Sequence, residues 1–125
     1  TGRPRRCGWF DAVIARYAVR INGIDGLAMT KLDVLDRFES IKVCTGYELD
    51  GKVVKDLPTD LQTLSRCRPV YEALPGWQSS TANARSWEEL PPAARDYLAF
   101  LEEQVGAPAK IISVGSKRSQ TIIRG

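Results

Sequence analysis

The chain has 125 residues, of which 43% are hydrophobic and 26% charged, the proportions of a globular protein of one domain or of part of a larger one. A net charge of +3 is too small to argue for nucleic-acid or membrane binding, no apolar run approaches a bilayer span, and no secretory signal pattern opens the chain. Three widely spaced cysteines, Cys7, Cys44 and Cys67, favour a reducing, cytoplasmic compartment and argue against a structural zinc site, while the lack of histidine removes the commonest general acid–base group.

The first residues, Thr1-Gly2-Arg3-Pro4-Arg5-Arg6, read as a loop with no element before it, so a fragment of a longer protein is expected. Arginine's planar fork pairs bidentately with carboxylates and phosphates, which makes this stretch a candidate anion-binding loop. A basic terminus with nonspecific affinity for nucleic acid is the other reading. Phe10, Val13, Ile14, Tyr17, Ala18 and Ile21 then recur at helical spacing, predicting an amphipathic helix closed by Asn22-Gly23.

A short apolar run from Leu27 to Thr30 predicts a buried strand that delivers Lys31 and Asp33 at its C-terminal end. In open α/β sheets, ligands bind just outside the carboxyl ends of strands. A carboxylate there can accept hydrogen bonds from the N1–H and exocyclic amine of a guanine; adenine has no N1 donor and would leave it poorly paired. The lysine can lay its aliphatic stem along the base plane. Taken alone, K-x-D at a strand end is more often a solvated loop pair. Asp33 to Phe38 admits a helical turn or a loop.

Ile41, Val43, Thr45 and Tyr47 alternate within a strand from Ile41 to Leu49, and Asp50-Gly51 followed by Lys52-Val53-Val54 predicts a hairpin with a two-residue turn. A short helix is expected from Pro58 to Arg66, a strand from Arg68 to Leu74, a turn at Pro75-Gly76-Trp77 and a polar loop from Ser79 to Arg85. Ser86-Trp87-Glu88-Glu89 fits a capping box. After Pro91-Pro92, the residues Ala94, Tyr97, Leu98, Leu101 and Val105 form a helical stripe ending at Gly106. Ala109 to Ser113 is an apolar strand opening into Val114-Gly115-Ser116, and Thr121 to Ile123 a short closing strand. Two strands thus open into polar or small residues. If they are neighbours, Lys31 and Asp33 converge with Ser113 to Gly115 on one ligand; the backbone amides of the second segment can serve a base carbonyl, and Gly115 permits close approach.

Those residues sit in segments that together resemble one family. TGRPRRCGWFDAV (1–13), RYAVRINGIDGLAMTKLDVLD (16–36), IKVCTGYELDG (41–51), PVYEALPGW (69–77), RSWEELPPAARDYL (85–98) and SVGSKRSQTIIR (113–124) are similar, in order, to the C-terminal part of adenylosuccinate synthetase. The resemblance implies an α/β fold, the C-terminal part of a mostly parallel-sheet, P-loop-type GTP-binding fold, with a β-hairpin and two main amphipathic helices. It implies a homodimeric, Mg2+-dependent ligase in the cytoplasm that uses GTP to join IMP and L-aspartate. By the same resemblance Thr1, Gly2, Arg3, Pro4 and Arg5 belong to the aspartate loop, Arg3 also contacting IMP and Arg5 the GTP side. Lys31, Leu32 and Asp33 match the guanine-specificity element, similar to the N-K-x-D of GTPases but with Thr30 in place of asparagine. Ser113, Val114 and Gly115 match its second base-contacting segment.

The family's phosphate loop, catalytic aspartate, catalytic histidine and Mg2+ ligands have no counterpart in these residues, so no catalytic or metal residue is assigned, and the segment alone is expected to be inactive. A stand-alone guanine-nucleotide-binding module without catalysis is the alternative. A nucleic-acid patch of Arg3, Arg5 and Arg6 with Lys117 and Arg118 ranks last, since few aromatics accompany those charges.

Overall fold

The computed structural model describes residues 9–55 and 61–124. The predicted opening loop, Thr1 to Arg6, and the stretch at 56–60 lie outside them. The elements run β1 (Phe10–Asp11), α1 (Ala12–Asn22), β2 (Leu27–Met29), β3 (Ser40–Leu49), β4 (Lys52–Val54), α2 (Leu61–Arg66), β5 (Arg68–Pro75), α3 (Pro92–Val105), β6 (Ala109–Ser113) and β7 (Thr121–Ile123), with 3-10 turns at Leu32–Leu35, Trp87–Glu89 and Arg118–Gln120.

The strands form two sheets, both mixed. In the first, β3 pairs antiparallel with β5 on one edge, and on the other with β1 in parallel and β4 antiparallel. In the second, β6 lies between β2, parallel to it, and β7, antiparallel. The expectation of a mostly parallel sheet is therefore corrected within this chain. Hairpin partners return directly and run antiparallel, while β2 reaches β6 only through the long connection that contains α3, which permits parallel pairing.

The core is built around α3. Its predicted stripe, Ala94, Tyr97, Leu98, Leu101 and Val105, is buried throughout, against Ile41 and Val43 of β3, Ala109 and Ile112 of β6, and Ile122 of β7. Leu98 is 0% exposed, so Leu98→Ala in the full-length protein should cost about 2–5 kcal/mol through the lost transfer energy and the cavity left behind. A melting temperature within a degree of the parent would remove Leu98 from the core.

Asp11 ends β1 and caps α1, its carboxylate accepting from the Val13 and Ile14 N–H groups at 3.0 Å each. The helix thus starts after Phe10, which the periodicity had placed inside it. Of the predicted stripe Val13 is buried, but Ile14, Tyr17 and Ile21 are exposed, and the inward face is instead Ala12, Ala15 and Val19. A spacing of 3.6 finds an apolar face without saying which neighbour covers it.

The β3–β4 hairpin turns at Asp50 and Gly51, with φ of 51° and 84°, the left-handed pair a two-residue turn requires. A bulge at Thr45, between Cys44 and Gly46, interrupts the β3–β5 ladder and the predicted alternation, so that residues 43–47 are all buried. Cys44 and Tyr47 join Val13 in a second, small cluster, where the Tyr47 hydroxyl donates to the Asp11 carboxylate. Burial, and then that carboxylate, push the Cys44 thiol and the Tyr47 hydroxyl up, so both stay protonated and Cys44 behaves as a small apolar residue.

The predicted capping box does not form at Ser86, and the back-bond from Glu89 falls on the residue before it. Glu89 reaches back to the Arg85 N–H at 2.9 Å, but the Ser86 hydroxyl donates to Glu89 at 3.4 Å and caps no backbone amide. The segment makes a 3-10 turn, and α3 begins afresh at Pro92, where proline's fixed φ suits a first turn. At its far end Glu102 accepts from the Ala109 N–H at 2.6 Å and pairs with Arg124 at 2.9 Å, fixing the start of β6.

Candidate functional site

The parallel pairing of β2 and β6 brings together the two strand ends that the sequence singles out. Their ladder runs from Leu27↔Ala109 to Met29↔Ile112, so both chains leave the sheet at the same end, one into Thr30–Asp33 and the other into Ser113–Gly115. β2 is shorter than predicted, excludes Thr30, and is half-buried, with Ala28 exposed.

Past Met29 the chain turns sharply. Lys31 adopts a left-handed conformation, φ 58° and ψ 41°, unusual for a side chain with a Cβ. That places Leu32 into the core at 2% exposure and starts the 3-10 turn that presents Asp33. Leu32 is thus the anchor of this element. One carboxylate oxygen of Asp33, Oδ1, is buried and has no hydrogen-bond partner among the described residues. A buried acceptor left unpaired costs about 1–3 kcal/mol, a cost that a ligand bearing donors would remove.

Asp33 stands on the wall of an open groove of about 600 Å³, together with Asp36, Gln78, Ser79 and Ser80. Lys31 lines a different, more apolar depression of about 250 Å³, with Trp9, Met29, Leu32 and Tyr97. The 3-10 turn separates the two, and Ser113, Val114 and Gly115 line neither. Burial raises the Tyr97 hydroxyl to about 12, so it remains neutral there.

In the second segment, the Ser113 hydroxyl donates to the Gly115 carbonyl at 2.8 Å, and the Val114 N–H donates to the Gln120 carbonyl at 2.8 Å. Val114 is fully buried, so its contribution is to the core, and its amide is already paired. Of the three amides able to serve a base carbonyl, that of Val114 is committed within the fold, which leaves Ser113 and Gly115 as the candidates. A Cβ on Gly115 would lie 2.2 Å from Gln120 Oε1, so a larger residue there would have to displace the Gln120 side chain.

Two neighbours of the candidate site escape sequence reasoning. Asp36 accepts from Trp77 Nε1 at 2.7 Å, from the Thr81 hydroxyl at 2.8 Å and from the Thr81 N–H at 2.9 Å. Gln120 Oε1 accepts from the Lys117 N–H at 3.1 Å, and its Nε2 donates to the Ala82 carbonyl at 3.3 Å. Partners 38 to 45 residues apart leave no periodic signal in a sequence. Thr1, Gly2, Arg3, Pro4 and Arg5 lie outside the described residues.

The comparisons with known proteins agree with one another. The family model described as adenylosuccinate synthetase matches residues 1–122. The adenylosuccinate synthetase of Gloeobacter violaceus is 63% identical over 123 residues, 98% of this chain and 28% of that protein. That of Geobacter sulfurreducens is 58% identical over the same shares. The structure of fully ligated adenylosuccinate synthetase from Plasmodium falciparum superposes with a TM-score of 0.91 at 33% identity, over 98% of this chain and 30% of that one. The chain therefore spans between a quarter and a third of the length of these relatives.

Proposed function

The chain belongs to the adenylosuccinate synthetase family, and from that premise we propose that it is the base- and aspartate-recognising, C-terminal part of a GTP-dependent ligase. The complete protein joins IMP and L-aspartate to give adenylosuccinate, GDP and phosphate, as a cytoplasmic homodimer in purine nucleotide biosynthesis. The segment contributes to a P-loop-type GTP-binding fold whose phosphate loop and catalytic aspartate and histidine lie elsewhere in the complete protein.

The observation that carries this reading is the unpaired, buried Asp33 Oδ1 at the end of β2, beside the end of its parallel neighbour β6. In the proposed complex Asp33 accepts from the N1–H and amine of guanine, and Lys31 lies along the base. The Ser113–Gly115 segment faces the base carbonyl through the Gly115 amide, and Arg5 serves the GTP side. Residues 1–5 form the aspartate loop, with Arg3 also reaching IMP. The rest of the protein closes the site and covers the exposed apolar residues of α1 and of the second sheet, such as Ile21, Ile111 and Ile123.

Mg2+ is part of the proposed reaction. Among the described residues no group of three or more His, Cys, Asp or Glu side chains could hold a metal ion. By the family resemblance its ligands are proposed to lie outside this segment, and no step is routed through it.

The test is an assay of the full-length protein with GTP, IMP, aspartate and Mg2+, following adenylosuccinate by absorbance, beside the 125-residue chain. The full-length protein should form product, and the segment alone should not. Guanine-selective binding by a full-length protein that forms no product would favour a binding module instead. Arg3→Leu in the active protein should raise KM for aspartate and IMP roughly tenfold or more, because a charge-assisted bidentate contact is lost. Unchanged constants would remove Arg3 from the site.

A further inference from the structure

The ladder between β2 and β6 stops at Met29↔Ile112, before either proposed base-contacting segment begins. Beyond that pair the two segments need another device to hold their separation. A planar base touched on two edges tolerates errors of only about 0.5 Å in its contacts. A third loop, residues 77–82, is fastened to both segments.

On one side Asp36 closes the turn that carries Asp33. It holds Trp77 and Thr81 through three hydrogen bonds of 2.7–2.9 Å. On the other side the Ala82 carbonyl accepts from Gln120 Nε2 at 3.3 Å. Gln120 in turn lies directly over Gly115 and takes the Val114 amide on its backbone carbonyl. Ser79 and Ser80, between the two residues that Asp36 holds, line the same groove as Asp33. Thr81 itself is 0% exposed and so does not reach a ligand in that groove.

We propose that residues 77–82 act as a strap that sets the spacing between Asp33 and Gly115, with Thr81 and Gln120 as positioning residues for guanine selectivity. The inference rests on the guanine-site reading above. Loosening either fastening lets one contact segment drift relative to the other. A hydrogen bond weakens steeply as it lengthens or bends, so the contacts to the base suffer while the chemistry at the phosphate does not.

The experiment uses the full-length protein and the variants Thr81→Val, Thr81→Ser and Gln120→Ala, with Asp33→Asn alongside. GTP is compared with ITP, whose base lacks the exocyclic amine. Thr81→Val keeps the side-chain volume but removes the hydroxyl donor to Asp36, and Thr81→Ser retains it. Thr81→Val and Gln120→Ala should raise KM for GTP roughly tenfold, with kcat little changed, and should lower the preference for GTP over ITP. Thr81→Ser should stay close to the parent.

A purely structural role would lower the melting temperature and the active fraction, and would leave KM and the GTP:ITP ratio at parent values. That result in both variants overturns the strap. A shift in only one of them overturns the two-ended arrangement. If Asp33→Asn also keeps the parent ratio, the guanine-site reading itself falls; if Asp33→Asn shifts the ratio and the other two do not, the strap alone falls.

Discussion

Replacing Gly76 by alanine should abolish or severely destabilise the fold of this segment. A Cβ built at Gly76 would lie 1.7 Å from the Phe38 carbonyl oxygen, 2.7 Å from its carbon and 3.1 Å from the Glu39 carbonyl carbon. These atoms are backbone, so no rotamer change relieves the overlap. The Gly76 N–H also donates to the Glu39 carbonyl at 2.8 Å, beside the terminal β3–β5 pair Ser40↔Pro75. Separating the two backbones to admit a methyl group breaks that bond and opens the end of the ladder. It also displaces Trp77, which is 9% exposed and whose indole N–H donates to Asp36. The expected loss is more than about 4 kcal/mol, the range of overpacking and broken buried networks combined. The measurement is the thermal melt and soluble yield of full-length Gly76→Ala beside Gly115→Ala. At Gly115 the obstruction is the Gln120 amide, the far end of a flexible side chain, and the cost should be one or two hydrogen bonds, about 1–2 kcal/mol. Equal and small effects at both positions would show that the backbone approach at Gly76 is not as close as described.

Asp33→Asn should separate specificity from folding in the opposite sense. Among the described residues Asp33 Oδ1 satisfies no donor, so neutralising the side chain removes no hydrogen bond of that atom to them. The melting temperature should therefore stay the same or rise slightly. Toward guanine the change is severe, since the amide turns one of two acceptors into a donor facing a donor. Losing a charged hydrogen bond of about 1.5–3 kcal/mol corresponds to roughly a 10- to 100-fold rise in KM for GTP. The result to look for is that rise at an unchanged melt. A collapse in stability with normal nucleotide preference would make Asp33 a structural residue and remove the base from β2.

Much of this was legible in the sequence because it is local. The α3 stripe, the Asp50-Gly51 hairpin, the helix stop at Gly106 and the strands Arg68–Leu74 and Ala109–Ser113 depend on residues within about four positions of one another. Both strand ends that carry the candidate site are legible in the same way, and they can converge only if the two strands are neighbours. The parallel β2–β6 pairing meets that condition.

What only the tertiary structure decided is what depends on distant partners. The exposure of Ile14, Tyr17 and Ile21 follows from which elements lie against α1 within this chain. The bulge at Thr45 follows from the register of β5 against β3. The left-handed Lys31 follows from drawing Leu32 into the core directly after the strand. The clasp of Asp36 on Trp77 and Thr81, and of Gln120 on Ala82, joins loops about forty residues apart. Periodicity and turn chemistry record how a chain satisfies its own backbone locally, so the sequence by itself determined the elements and the two polar strand ends. A side-chain hydrogen bond across the fold depends on no spacing at all, so the arrangement that holds those ends at a set distance was decided only when the chain packed.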